Sequence, residues 1–356
     1  MLDQPLSCDI VIPVYDQARY TQACVESIFA HTLIPFRLII VDDASKERQT
    51  TDYLEDLKRH ESARVLVLRL EKNQGYVGAV NHGLEKTSAQ FVVVMNNDTL
   101  VYPGWLTEMI CVAQKDPAIG LVNPQWEVPK RFRGRLDLYV ARHVVSQRGR
   151  FIETDWVRGF CYLTKRCVIE KIGGLDEDFA PAYYDDWDYS LRAQAAGYRC
   201  VCALGAFVFH IKNATYAACA QQGQTSTLLE AKGRLFYERW GRPLKMLVVD
   251  NGSFGDLSAR LRRWLQGQNK ITLVSFTELE MRHTNLKIVK VWRGFMTLAV
   301  LWLLFQESLH SALKRHHLVC MTAPGNMFLR KDCRAVLISK ENDLAIDKKI
   351  EKLKFS

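Results

Sequence analysis

Four short apolar runs in the first hundred residues are separated by stretches with helical periodicity, and this alternation constrains the fold more than any other feature. The runs occupy residues 9–14, 36–41, 65–70 and 91–95 and have the length of buried strands. Strands that alternate with helices predict an α/β fold with a mainly parallel central sheet covered on both faces.

Polar side chains follow two of these runs at the point where each predicted strand ends. Asp42 and Asp43 follow the second run, and Asn96, Asn97 and Asp98 follow the fourth. In parallel sheets, ligands bind beyond the carboxyl ends of the strands. The sequence therefore predicts that these five residues lie at the binding edge of the sheet.

Asp98 and the distant His210, which follows another apolar run, have the side chains of a metal site. Hard divalent ions prefer carboxylate oxygen, and an imidazole suits Mn²⁺ as a further ligand. A strand that ends in aspartate is also common without any metal, so the ordered set of acids and histidine carries the hypothesis. We expect Asp98 and His210 to hold Mg²⁺ or Mn²⁺, which can neutralise a diphosphate.

The cysteines and the first residues indicate a cytoplasmic protein. Ten cysteines are scattered along the 356 residues, without a CxxC pair or four ligands at zinc spacing. Residues 1–7 have neither the basic region nor the apolar region of a signal peptide. We therefore expect a reduced protein without a disulfide framework or a structural zinc ion.

The net charge of +9 arises entirely after residue 243, where 19 lysines and arginines face 10 acidic residues. A uniformly basic chain would suggest a nucleic-acid partner, but the preceding residues are balanced, so no nucleic acid is expected. A basic tail is typical of contact with an anionic surface, such as the cytoplasmic face of a membrane. A solvated basic surface is the alternative interpretation.

A second strand–helix–strand pattern begins at residue 245 and predicts a domain boundary near Pro243. The expected domains are residues 1–243 and a smaller α/β extension, residues 244–356. Within the extension, residues 294–305 are strongly apolar but short of the ~20 needed to span a bilayer. This segment fits a buried helix, or a helix at the membrane interface.

Two common nucleotide-binding motifs are absent. The first apolar run continues into residues 13–16 (PVYD), with no GxGxxG dinucleotide fingerprint, and the sequence has no GxxxxGK[ST] phosphate loop. These absences argue against a Rossmann dehydrogenase and a P-loop NTPase.

The order of the remaining motifs resembles the family 2 glycosyltransferases, which have the GT-A nucleotide-diphospho-sugar transferase fold. Residues 10–15 (IVIPVY) look like the opening strand of that family, residues 41–45 (VDDAS) like its nucleoside-binding acidic turn, and residues 73–83 (NQGYVGAVNHG) like the loop and helix before its metal motif. Residues 96–99 (NNDT) stand where the family has its DxD motif, and only the last acid is kept. The resemblance implies that the nucleotide sugar is bound by Pro13, Tyr15, Asp42, Asp43, Asn73, Gly75, Asn81 and Asn97.

Residues 184–192 (YDDWDYSLR) are similar to the family segment that carries the catalytic base, which often has Glu where Asp185 stands. The resemblance implies Asp186 as the general base, with Asp185 and Asp188 as alternatives. Asp188 lies one helical turn before Arg192 and also suits an ion pair with it.

Trp156, Gly159 and Trp187 are the candidate acceptor-binding residues. Aromatic rings can stack on the face of a sugar, although a buried core position suits both tryptophans equally well.

The resemblance covers residues 8–210. His210, at its end, matches a further metal ligand of the family. The resemblance implies an inverting enzyme of bacterial polysaccharide or O-antigen synthesis. Such an enzyme moves a hexosyl or deoxyhexosyl group from a UDP- or dTDP-linked donor to a hydroxyl of a glycan or lipid-linked acceptor. Residues from 244 onward weakly resemble the start of the nucleotide-sugar transferases built from two Rossmann domains. Two other classes stay open. One is a nucleotide-sugar-binding scaffold without catalysis. The other is a nucleotidyltransferase, although that class usually has a glycine-rich basic loop after the first strand, where this chain has residues 13–16 (PVYD).

Overall fold

A computed structural model describes residues 7–129, 132–211, 224–250, 256–265, 269–275, 279, 281–290, 318–321 and 335–337. The chain forms two compact units that divide between Arg234 and Leu235. This division falls ahead of residue 243, where the sequence predicts the boundary, and lies inside the helix Gln224–Trp240. The apolar segment 294–305 lies outside the described residues.

Nine strands form the sheet of the first unit. In chain order they are β1 (Cys8–Val14), β2 (Phe36–Asp42), β3 (Val65–Arg69), β4 (Phe91–Met95), β5 (Thr99–Val101), β6 (Ile119–Gln125), β7 (Phe151–Thr154), β8 (Cys161–Lys165) and β9 (Arg199–His210). Their order across the sheet is β3-β2-β1-β4-β8-β6-β9-β5, with β7 beside β9.

Helices lie between these strands in the chain. They are α1 (Ala18–His31), α2 (Arg48–His60), α3 (Gly75–Glu85), α4 (Trp105–Gln114), the short α5 (Leu136–Tyr139), α6 (Arg166–Ile172) and α7 (Asp185–Ala195). Helix α8 (Gln224–Trp240) follows β9, and the division between the two units lies inside it.

Pairing in this sheet changes from parallel to mixed at β8. Strands β3, β2, β1 and β4 pair in parallel, and so do β6 and β9. Strand β8 pairs antiparallel with β4 on one side and with β6 on the other, while β5 and β7 pair antiparallel with β9. The predicted α/β class with a mainly parallel centre is confirmed, and the antiparallel insertion of β8 is an addition that the sequence did not indicate.

Strand β1 explains why the first apolar run shows no alternation. Ile10 and Ile12 pack into the hydrophobic cluster on one face of the sheet, and Val11 packs into the cluster on the other. All three are fully buried, as expected for a strand covered by helices on both faces. Helix α3 approaches the sheet so closely that a β-carbon on Gly83 would lie 2.3 Å from Cγ1 of Val11.

Three elements begin or end at candidate site residues. Helix α3 begins at Gly75, and α7 begins at Asp185. Strand β9 continues to His210, and β5 pairs with its last residues. Regular structure therefore holds the backbone of these site residues.

The second unit has its own parallel sheet. Its strands are β10 (Lys245–Asp250), β11 (Lys270–Ser275), β12 (Leu286–Lys290), β13 (Leu318–Met321) and β14 (Ala335–Leu337), in the order β12-β11-β10-β13-β14. Helix α9 (Leu257–Leu265) buries Leu257, Leu261 and Trp264 in the core of this unit. The described residues of this unit therefore form α/β structure, while the domain bounds 244–356 stay a prediction. No helix within the described ranges has the length and apolar character needed to cross a membrane.

Candidate active site

Asp98 and His210, 112 positions apart in the chain, lie side by side. Strand β5 pairs antiparallel with β9 in a register that sets Thr99 opposite His210, and the amide of Ile211 donates to the carbonyl of Asp98. This register leaves Oδ1 of Asp98 3.1 Å from Nε2 of His210. The structure thus brings together the two side chains that the sequence predicts as metal ligands.

The surroundings of this pair hold it firmly. Asp98 is buried, and the His210 ring stacks on Phe160 with ring centroids 5.0 Å apart. The side-chain amide of Asn97 donates to Thr21 Oγ1 over 3.0 Å, so Asn97 fixes the turn after β4. Among the described residues, no third His, Cys, Asp or Glu completes a metal cluster with Asp98 and His210.

The acidic turn after β2 is engaged within the protein. Asp42 accepts a hydrogen bond from the Ser45 amide at 2.8 Å and forms an ion pair with Arg69. Asp43 accepts the amides of Gln74 and Gly75, at 2.6 and 2.9 Å, one on each carboxylate oxygen. A nucleobase imide would therefore have to use a remaining lone pair of either aspartate, because all four oxygens already accept a protein donor.

Asp43 also explains how the glycine loop enters α3. Its carboxylate caps the first amides of that helix, and its carbonyl accepts the side-chain amide of Asn73 at 3.2 Å. Gly75 has a φ of +77°, and a β-carbon there would lie 2.4 Å from Cβ of Pro181. Asn73 and Gly75 thus shape the loop through their contacts with Asp43 and Pro181.

Tyr15 and Pro13 end the first strand at the same edge. Tyr15 is 41% exposed, which leaves its ring available to a ligand, and Pro13 is half-buried in β1. Their contact with a nucleotide sugar stays a prediction.

Asn81 does not behave as a ligand-binding residue. Its Nδ2 donates to the carbonyl of Leu175 at 2.9 Å, and its Oδ1 accepts the amide of Leu175 at 2.8 Å. Since both polar atoms of the side chain hold one backbone unit, the interpretation of Asn81 as a donor-binding residue needs correction: the side chain fixes the loop at Leu175.

Asp186 lies in the first turn of α7 with both carboxylate oxygens hydrogen-bonded. Oδ2 accepts the amide of Gly159 at 2.7 Å, and Oδ1 accepts the amide of Trp187 at 2.9 Å. The carbonyl of Gly159 in turn accepts the hydroxyl of Tyr76 at 2.8 Å. Gly159, predicted to contact an acceptor, therefore positions Asp186 through its backbone.

Asp185 and Asp186 differ in exposure although they are neighbours. Asp185 is buried, whereas Asp186 is half-buried. Burial raises the pKa of Asp185, and the neighbouring charge of Asp186 adds to the effect. Burial also raises the pKa of Asp186, but the amides of Gly159 and Trp187 and the charge of Arg158 oppose the rise. Asp186 is the more accessible carboxylate of the two.

Asp188 forms the ion pair that its spacing suggested. Its Oδ2 accepts from Nε of Arg192 at 2.7 Å, and the remaining guanidinium nitrogens donate to the carbonyls of Ile172 and Gly174. Asp188 is fully buried and structural, so it is removed from the alternatives for the base.

A cluster of aromatic rings flanks Asp186. Trp156 and Trp187 meet edge to face, with centroids 4.6 Å apart at 81°, and both are half-buried. The guanidinium of Arg158 lies over the ring of Trp156 and over the ring of Trp126, with Cζ 4.6 Å from each centroid. Trp126 and Arg158 were missed from the sequence; the only available signal was the combination of aromatic and basic residues around Trp156.

A family model for glycosyl transferase family 2 matches residues 9–173. The chain contains a family 2 glycosyltransferase domain. The match takes in the acidic turn, the glycine loop and Asp98, and it ends before the α7 acids and His210.

Two curated relatives and one solved structure illustrate the similarity of the family 2 domain. The O-antigen biosynthesis protein RfbC of Myxococcus xanthus is 27% identical over 59% of this chain and 18% of its own length. The uncharacterized glycosyltransferase YwdF of Bacillus subtilis is 28% identical over 54% of this chain and 70% of its own. A mannosyltransferase from Pyrobaculum calidifontis, solved with GDP-Man and Mn²⁺, is 18% identical over 65% of each chain, with a TM-score of 0.49.

The relatives also differ from this chain in length. The matched 232 residues of RfbC are 18% of its length. In another relative, an uncharacterized protein of Sinorhizobium fredii, the matched 224 residues are 24% of its length. The similarity therefore concerns only part of these longer proteins.

Proposed function

We propose that this chain is an inverting glycosyltransferase that moves a sugar from a nucleotide-diphospho-sugar to a hydroxyl group of an acceptor. One observation carries the proposal: the dipeptide Gly159-Phe160 joins the candidate base to the candidate metal pair. The Gly159 amide binds Asp186, the Phe160 carbonyl accepts the amide of Asn96, and the Phe160 ring stacks on His210.

Asp186 has the features of a general base. It accepts the proton of the acceptor hydroxyl while the hydroxyl oxygen attacks the anomeric carbon. The bond from that carbon to the diphosphate breaks on the opposite face, and the diphosphate leaves with the electron pair. One such displacement inverts the configuration of the anomeric carbon. A pKa raised toward neutrality strengthens Asp186 as a base at physiological pH.

Asp98 and His210 suit a hard divalent ion, because they offer one carboxylate oxygen and one imidazole nitrogen 3.1 Å apart. Two protein ligands are sufficient for Mg²⁺ or Mn²⁺ when phosphate oxygens and water supply the rest. Such an ion, when bound, offsets negative charge on a diphosphate. In its vicinity, Asn97 holds the turn and Phe160 orients the imidazole.

The proposed substrates rest on the resemblance and on the role that the name of one relative states. We propose a UDP- or dTDP-linked donor that lies between Tyr15, the acidic turn and Asp98. A glycan or lipid-linked acceptor is proposed because RfbC of Myxococcus xanthus is an O-antigen biosynthesis protein. Trp156 and Trp187 present half-buried rings next to Asp186, where a sugar acceptor would stack.

A panel of sugar nucleotides tests this proposal against its alternatives. UDP- and dTDP-sugars are incubated with the protein and either Mn²⁺ or Mg²⁺, and the released nucleotide is identified by chromatography. Nucleoside diphosphate released by the wild type and not by Asp186→Asn supports a transferase. Nucleotide binding without any release indicates a scaffold, and pyrophosphate formed from a nucleoside triphosphate and a sugar phosphate indicates a nucleotidyltransferase.

A further inference from the structure

Arg158 is half-buried, and neighbouring residues hold both its guanidinium and its backbone. Its guanidinium lies between two indole rings, with Cζ 4.6 Å from the centroids of both Trp126 and Trp156. Its backbone is fixed as well, since its amide donates to Oδ1 of Asn123 at 2.8 Å. Two cation–π contacts restrain the guanidinium plane while its N–H edges are left for other partners.

Those edges have no protein acceptor within the ranges of the chain that the structure describes. The guanidinium of Arg158 takes part there in no hydrogen bond and in no ion pair. By contrast, the partly buried Arg192 donates to Asp188 and to two carbonyls. A restrained guanidinium with free donors is preorganised for a carboxylate or phosphate, which it can bind through two parallel hydrogen bonds.

The neighbours of Arg158 indicate whether it lies nearer to the proposed base or to the proposed metal pair. On one side, Trp156 contacts Trp187, the residue after Asp186, and the charge of Arg158 acts on the Asp186 carboxylate. On the other side, the ring of Trp126 meets the ring of Phe160 edge to face, with centroids 5.9 Å apart, and Phe160 stacks on His210. Arg158 thus acts on the proposed base by its charge, while the rings of Trp126 and Phe160 lie between its guanidinium and His210 in this series of contacts.

We propose that Arg158 binds an anionic group of the acceptor, a carboxylate or a phosphate near the hydroxyl that is glycosylated. This inference rests on the proposed function, because it assigns a charge to the acceptor of that same site. It makes the acceptor a uronic acid or a phosphorylated, including lipid-phosphate-linked, sugar, and the two sources share the chemistry that a guanidinium recognises.

Two pairs of small probes test the charge directly. Methyl β-glucuronide is compared with methyl β-glucoside, and glucose 6-phosphate with glucose, by calorimetric titration into the full chain with UDP and Mn²⁺. We expect the anionic member of at least one pair to bind about tenfold or more tightly than its neutral partner. The pair that shows the advantage identifies the source as a carboxylate or a phosphate.

Variants decide whether Arg158 causes the preference. Arg158→Gln should abolish the advantage, Arg158→Lys should retain part of it, and the exposed Arg142→Gln is the control with the same loss of charge. Equal binding within both pairs, binding of no probe, or an advantage that survives Arg158→Gln overturns the proposal. It is also overturned if Arg158→Gln weakens UDP as much as the anionic probe, since Arg158 would then serve the donor. Nucleoside diphosphate release by the wild type is measured separately, so failure of the transferase proposal is visible on its own.

Discussion

The amide of Gly159 donates a 2.7 Å hydrogen bond to Oδ2 of Asp186, and this contact joins a loop between β7 and β8 to the first turn of α7. A β-carbon on residue 159 would lie 3.3 Å from the same oxygen, so a larger residue there would require the carboxylate to shift by a few tenths of an ångström. The carboxylate of Asp186 is half-buried, so it stays accessible for its proposed role as a general base.

Replacement of Asp186 by asparagine should reduce turnover by ~100-fold or more, because the amide is nearly isosteric but cannot take the proton. Affinity for the sugar nucleotide should stay near that of the wild type, as checked by titration. Asp185→Asn is the matched control and should lower turnover by a smaller factor. A larger loss in Asp185→Asn than in Asp186→Asn would move the base to Asp185.

The pH profile should report the environment of Asp186. Since the base must be deprotonated and burial raises its pKa, kcat/KM should fall as the pH drops through a value above the usual aspartate range of ~3.9. The positive charge of Arg158 lowers this pKa, so Arg158→Gln should shift the acid limb to higher pH. Arg142→Gln should leave the limb in place. An unchanged limb in Arg158→Gln would show that the two groups do not interact.

The sequence predicts those parts of the candidate site whose residues are brought close together by the order of the strands alone. Asp43 and Asp98 follow strands β2 and β4, which flank β1 in parallel, so their carboxyl ends had to share an edge. His210 could be joined to Asp98 only through the family motif order, because the β5–β9 register that pairs them is a long-range contact.

Other parts of the site depend on packing that no local pattern encodes. Asn81 looked like a ligand-binding residue until the structure placed the backbone of Leu175 against both of its polar atoms. The position of Arg158 depends on Trp126, which follows β6, and on Trp156, which follows β7, because both indole rings contact its guanidinium. Contacts of this kind require the fold before they can be recognised.

Asp185→Asn should stabilise the protein at neutral and alkaline pH. Burial and the charge of Asp186 raise the pKa of Asp185, so the folded state holds this proton more tightly than the unfolded state. Wild-type stability should therefore decrease as the pH rises from the unfolded value of ~3.9 through the raised folded value. The variant should have a higher Tm above that range and a flatter dependence on pH. Thermal unfolding from pH 5 to 9 checks this, and a lower Tm throughout would contradict it.

Loss of the metal pair should remove divalent-ion dependence. Asp98→Asn and His210→Ala each delete one of the two side chains that meet at 3.1 Å, so each should weaken the Mn²⁺-dependent rise in Tm that we expect for the wild type with UDP. Turnover should fall in both variants and in wild type treated with a chelator. Full wild-type turnover in the presence of chelator would refute the metal proposal.

Tyr162→Phe should stabilise the first unit, whereas Tyr189→Phe should destabilise it. The two rings lie 5.9 Å apart in the same core and both are buried. The hydroxyl of Tyr162 has no hydrogen-bond partner among the described residues, while that of Tyr189 meets Thr164 Oγ1 at 3.2 Å. Removing a buried hydroxyl without a partner relieves a desolvation cost of about 1 kcal/mol or more, and removing a bonded one forfeits about 1 kcal/mol. Denaturant titration of the two variants should therefore shift the unfolding midpoint in opposite directions, and a shift in the same direction would show that the Tyr162 hydroxyl is satisfied in solution.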